Sequence, residues 1–436
     1  MTFHTKQRVD YWVGGLLLAL LFLPVRGLGF LLRRDHTLAQ RRGCAVIKLV
    51  GAGSLFLAMP SMLEIRARFP AGGFFLVGTP AVVRVAQEFG WFDEYWIIDD
   101  SSLGRLMWTT LRVLWRMARR ADHSIDLEVH SRFTTLLTVL STVRNRIGFV
   151  DEIVFWRRGF YTHMTFFNVH GPVYVFYDLL ARWFGSSSVR VSEFHAAFRQ
   201  RTLLAPLPPG TIPPAPYVAI GHACSDLGRE RLLRPEEWKR LLRPVILAGH
   251  EIVFLGGPSD RAFADTIISV LGAGRNLCGA LTIAQSAKVI GRAATYYGID
   301  SMLLHFARAL GVPAIAVFGP SDPATRLRPL DPPMGPPLDP PLGRSLGRSL
   351  GRPLGRPLGG AERIAFARLP CSPCIHVNET PPCHGRRTCM ALALESLLVA
   401  PDRASAQAAT HEPAPPVGWD IDPQRARVRE VSVTWS

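Results

Sequence analysis

Two series of apolar runs that alternate with helical stretches constrain the fold of this chain more than any other feature. The first run, Cys44–Val50, is apolar except for Lys48 and stops at Gly51, which is typical of a buried parallel strand. Strand and helix patterns alternate up to a proline-rich stretch at 206–216, and a second series begins at Tyr217. The pattern predicts an α/β protein of two doubly wound, Rossmann-like domains that face a central cleft. Ligands are expected there, at the carboxyl ends of the strands.

Changes in composition divide the chain into regions. A four-residue repeat, Gly-Arg-Ser-Leu or Gly-Arg-Pro-Leu, fills 343–358 and cannot bury enough apolar surface to fold. We therefore predict a disordered Pro/Gly/Arg insert at 327–360. The predicted regions are an N-terminal segment (1–42), a first domain (43–205), a linker (206–216), a second domain (217–400) that contains the insert, and a disordered tail (401–436).

The N-terminal segment contains the apolar run Tyr11–Leu23, followed by Pro24. This run is shorter than the ~20 residues that span a bilayer. Arginines follow it, instead of the small residues of a signal-peptide cleavage site. Aromatic residues at one end and arginines at the other predict a membrane-associated helix whose cations contact an anionic membrane surface, with the body of the protein on the cytoplasmic side. The alternative is a buried core helix.

The stretch Leu103–Arg120 predicts a long amphipathic helix, with apolar residues at helical spacing and arginines on another face. We expect this helix to pack on the first sheet. The alternative is a membrane-facing role for its arginines and for Trp108 and Trp115.

The charge balance and the hydrophobic content exclude several classes of protein. The chain has 50 basic and 34 acidic residues, a formal charge of +16, but its arginines fall in separate places rather than in one block. Nucleic-acid binding is therefore not predicted. A hydrophobic content of 48% excludes a wholly disordered protein.

Gly51 and Gly53 directly follow the first strand, as in a dinucleotide-binding loop. Phe56 stands where the third glycine of that motif belongs, and no acidic residue closes the next strand at the expected distance. A dehydrogenase is therefore not predicted. A glycine-rich turn before a helix still lets an anionic substrate approach the backbone.

The most specific motif lies in the second domain. Asp300-Ser301-Met302 opens a helix that contains His305, and Ala309-Leu310-Gly311-Val312-Pro313 and Phe318-Gly319-Pro320 follow. This order resembles glycosyltransferase family 9, the ADP-heptose:lipopolysaccharide heptosyltransferases, except that Met302 replaces the family's glycine. Further segments that resemble the family are Ile47–Gly53, Asp126–Glu128 with Arg144–Phe149, and Ala223–Leu227 with Gly256–Pro258.

The resemblance, which is to a membrane-anchored branch of the family, implies a GT-B fold and an inverting glycosyltransferase. It implies transfer of a heptose-like sugar from a nucleotide-diphosphate donor similar to ADP-heptose to a lipopolysaccharide or other lipid-linked glycan acceptor. It also implies action at the cytoplasmic face of a bacterial inner membrane, without a catalytic metal. The donor-binding residues that it implies are Asp300, Ser301, His305, Ser225, Gly256, Gly257 and Gly319.

One departure from the family concerns the general base. Heptosyltransferases place an aspartate, proposed as the base, where this chain has Ser54, and a serine is a poor base near neutral pH. Asp126, Glu128 and His130 alternate at the end of a predicted strand, 124–129, so we expect them to share one face. We predict Glu128 as the base, with Asp126 and His130 as alternatives. Capping of the next helix, or pairing with Arg132, is the non-catalytic interpretation.

The departures at Ser54 and Met302 also leave a second hypothesis open. The chain would then be a catalytically silent sugar-nucleotide-binding homologue or an assembly partner. An acceptor-side loop is expected in either case, formed by Gly51, Gly53, Ser54, His163, Asn168 and His170. A plain surface loop is the alternative for the last three.

Four cysteines lie near the end of the second domain, within 371–389. The first pair has the spacing of a zinc knuckle, whereas the second pair is five residues apart. We predict structural zinc or reduced thiols rather than disulfides. The four are Cys371, Cys374, Cys383 and Cys389.

Overall fold

Two six-stranded parallel sheets, with helices packed against them, form the body of the protein. This computed structural model describes residues 8–32, 34–38, 42–213, 216–225, 228–329, 362–375, 381 and 383–398. The predicted tail and most of the predicted insert lie outside these residues. The α/β, GT-B type fold predicted from the sequence is confirmed.

The first sheet has the strand order β3-β2-β1-β4-β5-β6. The order reverses between β1 and β4, which makes the carboxyl ends of these two strands the expected ligand-binding edge. Its elements are β1 (Cys44–Lys48), α2 (Ala52–Arg66), β2 (Phe74–Gly78), α3 (Pro80–Phe89), β3 (Glu94–Ile97), α4 (Leu103–Arg120), β4 (His123–Asp126), α5 (Arg132–Leu140), β5 (Asn145–Val150), β6 (His163–Phe166), α6 (Val173–Trp183) and α7 (Val191–Leu204).

The second sheet has the order β12-β11-β10-β7-β8-β9, and its reversal lies between β7 and β10. Its elements are β7 (Tyr217–Gly221), α8 (Pro235–Leu247), β8 (Glu251–Phe254), α9 (Arg261–Leu271), β9 (Arg275–Asn276), α10 (Ile283–Gly291), β10 (Thr295–Ile299), α11 (Met302–Leu310), β11 (Ala314–Phe318), α12 (Pro323–Arg326), β12 (Arg363–Phe366) and α13 (Thr388–Leu398).

The fourth strand is shorter than the sequence predicts. It ends at Asp126, whose Oδ1 accepts the backbone N–H of Glu128 at 3.0 Å and so turns the chain out of the sheet. The prediction that Asp126, Glu128 and His130 share one strand face is therefore wrong. The alternating pattern that suggested it belongs to a turn.

Aromatic side chains from both domains meet in one cluster. Phe56 on α2 contacts Phe306 on α11 with ring centroids 5.0 Å apart, and Phe198 on α7 lies 5.0 Å from Phe56 and 4.9 Å from Phe306. All three rings are buried. The cores of the two domains are therefore continuous beneath the cleft, so that the domains contact each other through packed rings.

The N-terminal helix α1 (Gly15–Leu32), preceded by a π-helical turn at Asp10–Gly14, packs on the first domain, which the sequence did not indicate. Both carboxylate oxygens of Asp10 accept backbone N–H groups at the start of α5, from Arg132 at 3.0 Å and Phe133 at 2.6 Å. Leu18 is buried against side chains of α5 and against Phe160. Together, residues Asp10–Leu32 are long and apolar enough to cross a membrane, by length and composition only.

We expect Asp10→Ala to lower the free energy of unfolding by about 1 kcal/mol, because two buried N–H groups at the start of α5 lose their acceptor. Urea unfolding of the intact chain in mild detergent measures this change. Glu152→Ala removes an exposed carboxylate and serves as the control, with an expected change within about 0.5 kcal/mol. Equal stability of the two variants would show that the bonds of Asp10 to the start of α5 do not stabilise the first domain.

Candidate active site

The candidate site lies where the reversal points of the two sheets face each other. The turn after β1 carries Gly51 in the left-handed region, at φ 82°, and leads into α2. A Cβ placed on Gly53 would lie 3.5 Å from Cα of Met302 and 3.7 Å from Cδ2 of His305. The loop after β1 therefore contacts the start of α11. Met302, at the position of the family's glycine, forms part of this contact between the domains.

Asp300 directly follows β10 and is a buried carboxylate paired with a buried guanidinium. Nη1 of Arg231 donates to the backbone oxygen of Asp300 at 2.9 Å and to its Oδ2 at 3.3 Å. Burial alone would raise the pKa of Asp300, but Arg231, Arg326 and Ser321 together lower it below its ordinary value. Asp300 therefore stays ionised and orients Arg231.

Three polar side-chain atoms at this site are buried: Oγ of Ser301, Oγ of Ser321 and Nε of Arg326. The hydroxyls of Ser301 and Ser321 lie beside Tyr296 and Asp300, whereas Nε of Arg326 has no hydrogen-bond partner. Burial also lowers the pKa of Arg326, against the opposing effect of Asp300. Buried polar groups in folded proteins nearly always have a partner, so an unpartnered group of this kind indicates a position for a ligand. Together the three surround the amino end of α11, which favours anions.

His305 lies one turn into α11 and is buried. Burial lowers its pKa to about 4, although Asp300 acts in the opposite direction. The imidazole is therefore neutral near pH 7, with one N–H to donate and one nitrogen to accept. The structure thus brings Asp300, Ser301 and His305 together, as the sequence predicted.

The remaining predicted donor residues have other contacts. Ser225 follows β7, and its Oγ lies 3.5 Å from Nη2 of Arg231. The backbone N–H of Gly257 is taken up by Asp260 Oδ2 at 2.7 Å. Gly319 is enclosed by α13, since a Cβ there would meet Sδ of Met390 at 2.8 Å. Gly256 and Gly257 therefore form a turn around Asp260, and Gly319 permits close packing.

On the first domain, Glu128 secures the turn after β1. Its Oε1 accepts from Nζ of Lys48 at 3.0 Å and from the backbone N–H groups of Leu49 and Val50 at 2.8 and 2.9 Å. Lys48 is buried, so this carboxylate neutralises a cation that has left water. The predicted base thus lies at the reversal point of the sheet, bonded to the loop that contacts α11.

The two alternative bases have their own partners. Asp126 is fully buried, and its Oδ2 accepts from Arg157, from Tyr161 and from Thr134. This carboxylate therefore belongs to the core rather than to the cleft. Nε2 of His130 lies 2.8 Å from Oδ2 of Asp151.

The predicted acceptor-side residues do not all lie at the same edge of the first sheet. Oγ of Ser54 donates to the backbone oxygen of Gly51 at 2.8 Å, within the loop. Asn168 and His170 follow the carboxyl end of β6 and form a tight turn, with the N–H of His170 bonded to Asn168 Oδ1. His163 begins β6 and therefore lies at the opposite edge, where burial and His36 lower its pKa.

Residues that the sequence analysis missed connect the two domains across the cleft. Asp178 on α6 forms an ion pair with Arg328 of the second domain. Burial raises the pKa of Tyr177; Glu128 adds to this rise, whereas Arg326 opposes it. Tyr177 is thus close to the key groups of both domains. Arg326 follows the Phe318–Pro320 motif by a few residues, a position that could have been noticed, whereas Arg231 has no comparable signal.

The four cysteines lie close enough to affect one another. Burial, together with the other three thiols, raises the pKa of Cys374 to about 11. No group of three or more His, Cys, Asp or Glu side chains in the described part of the chain could hold a metal ion. The described structure thus lends no support to structural zinc at this cluster, which stays a prediction from the sequence.

Comparison with known proteins agrees with this geometry. Residues 186–334 match the family model described as glycosyltransferase family 9 (heptosyltransferase). The matched segment, about a third of the chain, is similar to this family. That segment contains Arg231, Asp300, Ser301, His305 and Arg326, so the clustered residues belong to the matched domain. No curated protein matches the chain in sequence.

Solved structures share the fold. The glycosyl transferase family 9 from Veillonella parvula is 17% identical with a TM-score of 0.52, over 66% of this chain and 83% of that chain. E. coli ADP-heptose lps heptosyltransferase II is 16% identical with a TM-score of 0.52, over 84% and 99%. E. coli heptosyltransferase WaaC with ADP is 15% identical with a TM-score of 0.50, over 65% and 89%.

We expect His305 to make the protein less stable in acid. Its pKa in the folded protein is about 4, below the ordinary value of roughly 6.5, so between these pH values the unfolded chain binds a proton that the folded protein does not. The stability that the neutral imidazole of His305 contributes is therefore complete at a pH above its ordinary pKa. It is lost as the pH falls toward 4.

Urea unfolding from pH 7 to pH 4 tests this expectation. His305→Gln should flatten the fall in stability, whereas His250→Gln, at a partly exposed position outside the cluster, should leave it unchanged. Parallel curves for His305→Gln and the unmodified chain would contradict the assignment of a neutral, buried imidazole.

Proposed function

We propose that this protein is an inverting glycosyltransferase that moves a heptose-like sugar from a nucleotide-diphosphate donor, similar to ADP-heptose, to a lipopolysaccharide or other lipid-linked glycan acceptor. The observation that carries the proposal is the buried cluster of Asp300, Arg231, Arg326 and His305 at the amino end of α11. It lies in the segment that matches the family 9 model and at the reversal point of the second sheet.

The charges of this cluster suit a diphosphate. Arg231 and Arg326 bring two cations to one buried carboxylate, Asp300, and burial disfavours the charge on Arg326. A bound diphosphate supplies the missing negative charge and accepts hydrogen bonds from Nε of Arg326 and from the hydroxyls of Ser301 and Ser321. The amino end of α11 adds further favourable potential.

In the proposed step, the acceptor hydroxyl oxygen bonds to the anomeric carbon of the sugar. The bond from that carbon to the diphosphate oxygen breaks, and the electron pair leaves with the nucleotide diphosphate. Arg231 and Arg326 stabilise the charge that develops on the leaving group, and no metal is required. The proton of the hydroxyl passes to a base on the first domain, and attack opposite the leaving group inverts the sugar.

We propose Glu128 as that base. It lies at the reversal point of the first sheet and is bonded to the loop after β1, which lies against the start of α11. It also neutralises Lys48, so its substitution disturbs the loop after β1 as well as any proton transfer.

The proposed location is the cytoplasmic face of the inner membrane of a bacterium. The apolar helix α1 supports membrane association, and a lipid-linked acceptor requires it. In this arrangement the acceptor binds to the first domain, on which α1 packs, and the donor binds to the second.

We expect Arg326→Gln and His305→Ala to weaken donor binding on the order of tenfold or more, because each removes a hydrogen bond to a charged group. Calorimetric titration with a panel of nucleotide-diphosphate sugars measures binding, and radiolabel transfer to a lipid-linked glycan fraction measures turnover. Arg292→Gln, at an exposed arginine of the same domain, is the control.

Two outcomes separate the hypotheses. Tight donor binding without transfer to any lipid-linked acceptor would support the catalytically silent homologue. Normal donor binding by both variants would remove the donor from this cluster.

Chelation with EDTA should leave the transfer rate unchanged.

We expect Glu128→Gln to slow turnover at least about a hundredfold while the donor binds normally, since general-base groups typically contribute ~10²–10⁴. This variant also leaves the buried Lys48 without its carboxylate. The double variant Glu128→Gln/Lys48→Met removes that unpaired charge. Recovery of turnover in the double variant would show that Glu128 only positions the loop, whereas continued loss supports the base.

A further inference from the structure

The helix α4 presents a second apolar face to the exterior. Val113 and Met117 are buried against the first sheet, which confirms that the helix packs there. Five large apolar side chains nevertheless remain between 57% and 67% exposed. They are Leu103, Met107, Trp108, Leu111 and Trp115. Residues 103, 107, 111 and 115 are four apart and form one stripe along the helix, with Trp108 at its edge.

Arginines border this stripe. Arg112 and Arg119 are exposed on the neighbouring face, and the guanidinium of Arg119 lies 4.5 Å from the ring centroid of Trp115. Arg105 and Arg116 lie on the same neighbouring face. Large apolar side chains, two tryptophans and a row of cations on one helix are the features of helices that lie in the interface of an anionic bilayer.

Helix α5 connects α4 to the N-terminal helix α1. Side chains of α4 and α5 share one buried cluster on one face of the first sheet, and α5 and α1 share the adjoining cluster. Helix α5 therefore lies between α4 and α1. Helix α1 also carries large apolar side chains that remain exposed, such as Leu20 and Phe30.

We propose that α4 is a second membrane-binding element, which inserts its apolar stripe between the lipids of an anionic bilayer while its arginines contact the headgroups. The occupant is a phospholipid surface, because the cations that border the stripe complement anionic headgroups. In addition, α1, the one helix in the described residues that is apolar enough to span a membrane, packs on the neighbouring helix α5. The first domain is then held to the membrane along two helices, which fixes its orientation as well as its distance.

Hydroxyl-radical footprinting of the full chain tests this proposal locally, even though α1 also binds. Trypsin releases Leu106–Arg112, which contains the readily oxidised Met107 and Trp108, and Val113–Arg116, which contains Trp115. We expect vesicles of phosphatidylethanolamine and phosphatidylglycerol to protect both peptides several-fold. Vesicles of phosphatidylcholine alone should protect them much less.

A pair of matched variants provides the second measurement. Leu111→Ser/Trp115→Ser should lower vesicle partitioning on the order of tenfold, because two large apolar side chains no longer leave water. Leu247→Ser/Leu392→Ser removes exposed apolar surface from the second domain and should partition normally. Circular dichroism checks that both variants fold, and donor binding should be unchanged in both.

Three results would overturn the proposal. The first is normal partitioning of Leu111→Ser/Trp115→Ser. The second is equal protection by both kinds of vesicle. The third is protection that appears without vesicles and grows with protein concentration, which would identify a second copy of the chain as the partner of the stripe.

Discussion

The contact between Phe56 and Phe306 is the interaction on which the candidate site depends. These rings join α2, which follows the loop after β1, to α11, which begins with the donor motif. Packed aromatic rings have little freedom to slide, so the two helix starts keep a fixed relation. Gly53 and His305 therefore lie so near each other that a Cβ at Gly53 would touch the imidazole, and two separate sequence motifs become one site.

Buried ion pairs hold the two sides of this site in position. Glu128 neutralises Lys48 at the reversal point of the first sheet, and Asp300 pairs with Arg231 at that of the second. Removing one partner of such a pair leaves an uncompensated charge in a poorly solvated place, which is costly. The two pairs differ in what surrounds them. Nε of Arg326, beside Asp300, lacks a partner, so only the second pair lies in a cluster prepared for an anion.

Local patterns predicted the architecture well because it depends on them. The helix Leu103–Arg120 was predicted to the residue, and the second series begins with a strand at Tyr217 as expected, since uninterrupted apolar or amphipathic runs determine such elements. The alternation at Asp126, Glu128 and His130 misled because a side-chain bond from Asp126 ends the strand, a contact that no periodicity contains.

The residues of the candidate site divide in the same way, into those that a local sequence motif reveals and those that only the fold brings together. Asp300, Ser301 and His305 were found because they are neighbours in one motif. Arg231, Tyr177 and the pair of Asp178 with Arg328 come from distant parts of the chain and meet only through the packing of the two domains. Phe56 shows the limit most clearly. In the sequence it was only a missing glycine, whereas in the fold it is the ring that joins the domains.

The proposed membrane surface and the proposed site are related through the direction of the strands. Helix α4 follows β3, and α5 follows β4, so both helices begin at the carboxyl edge of the first sheet, where the cleft lies. Asp10 bonds to the first residues of α5, so the N-terminal segment also starts at that edge. Both apolar surfaces therefore begin beside the cleft and run away from it. A lipid-linked acceptor embedded in the bilayer would have only to extend its head group past the edge of the sheet to reach the loop after β1.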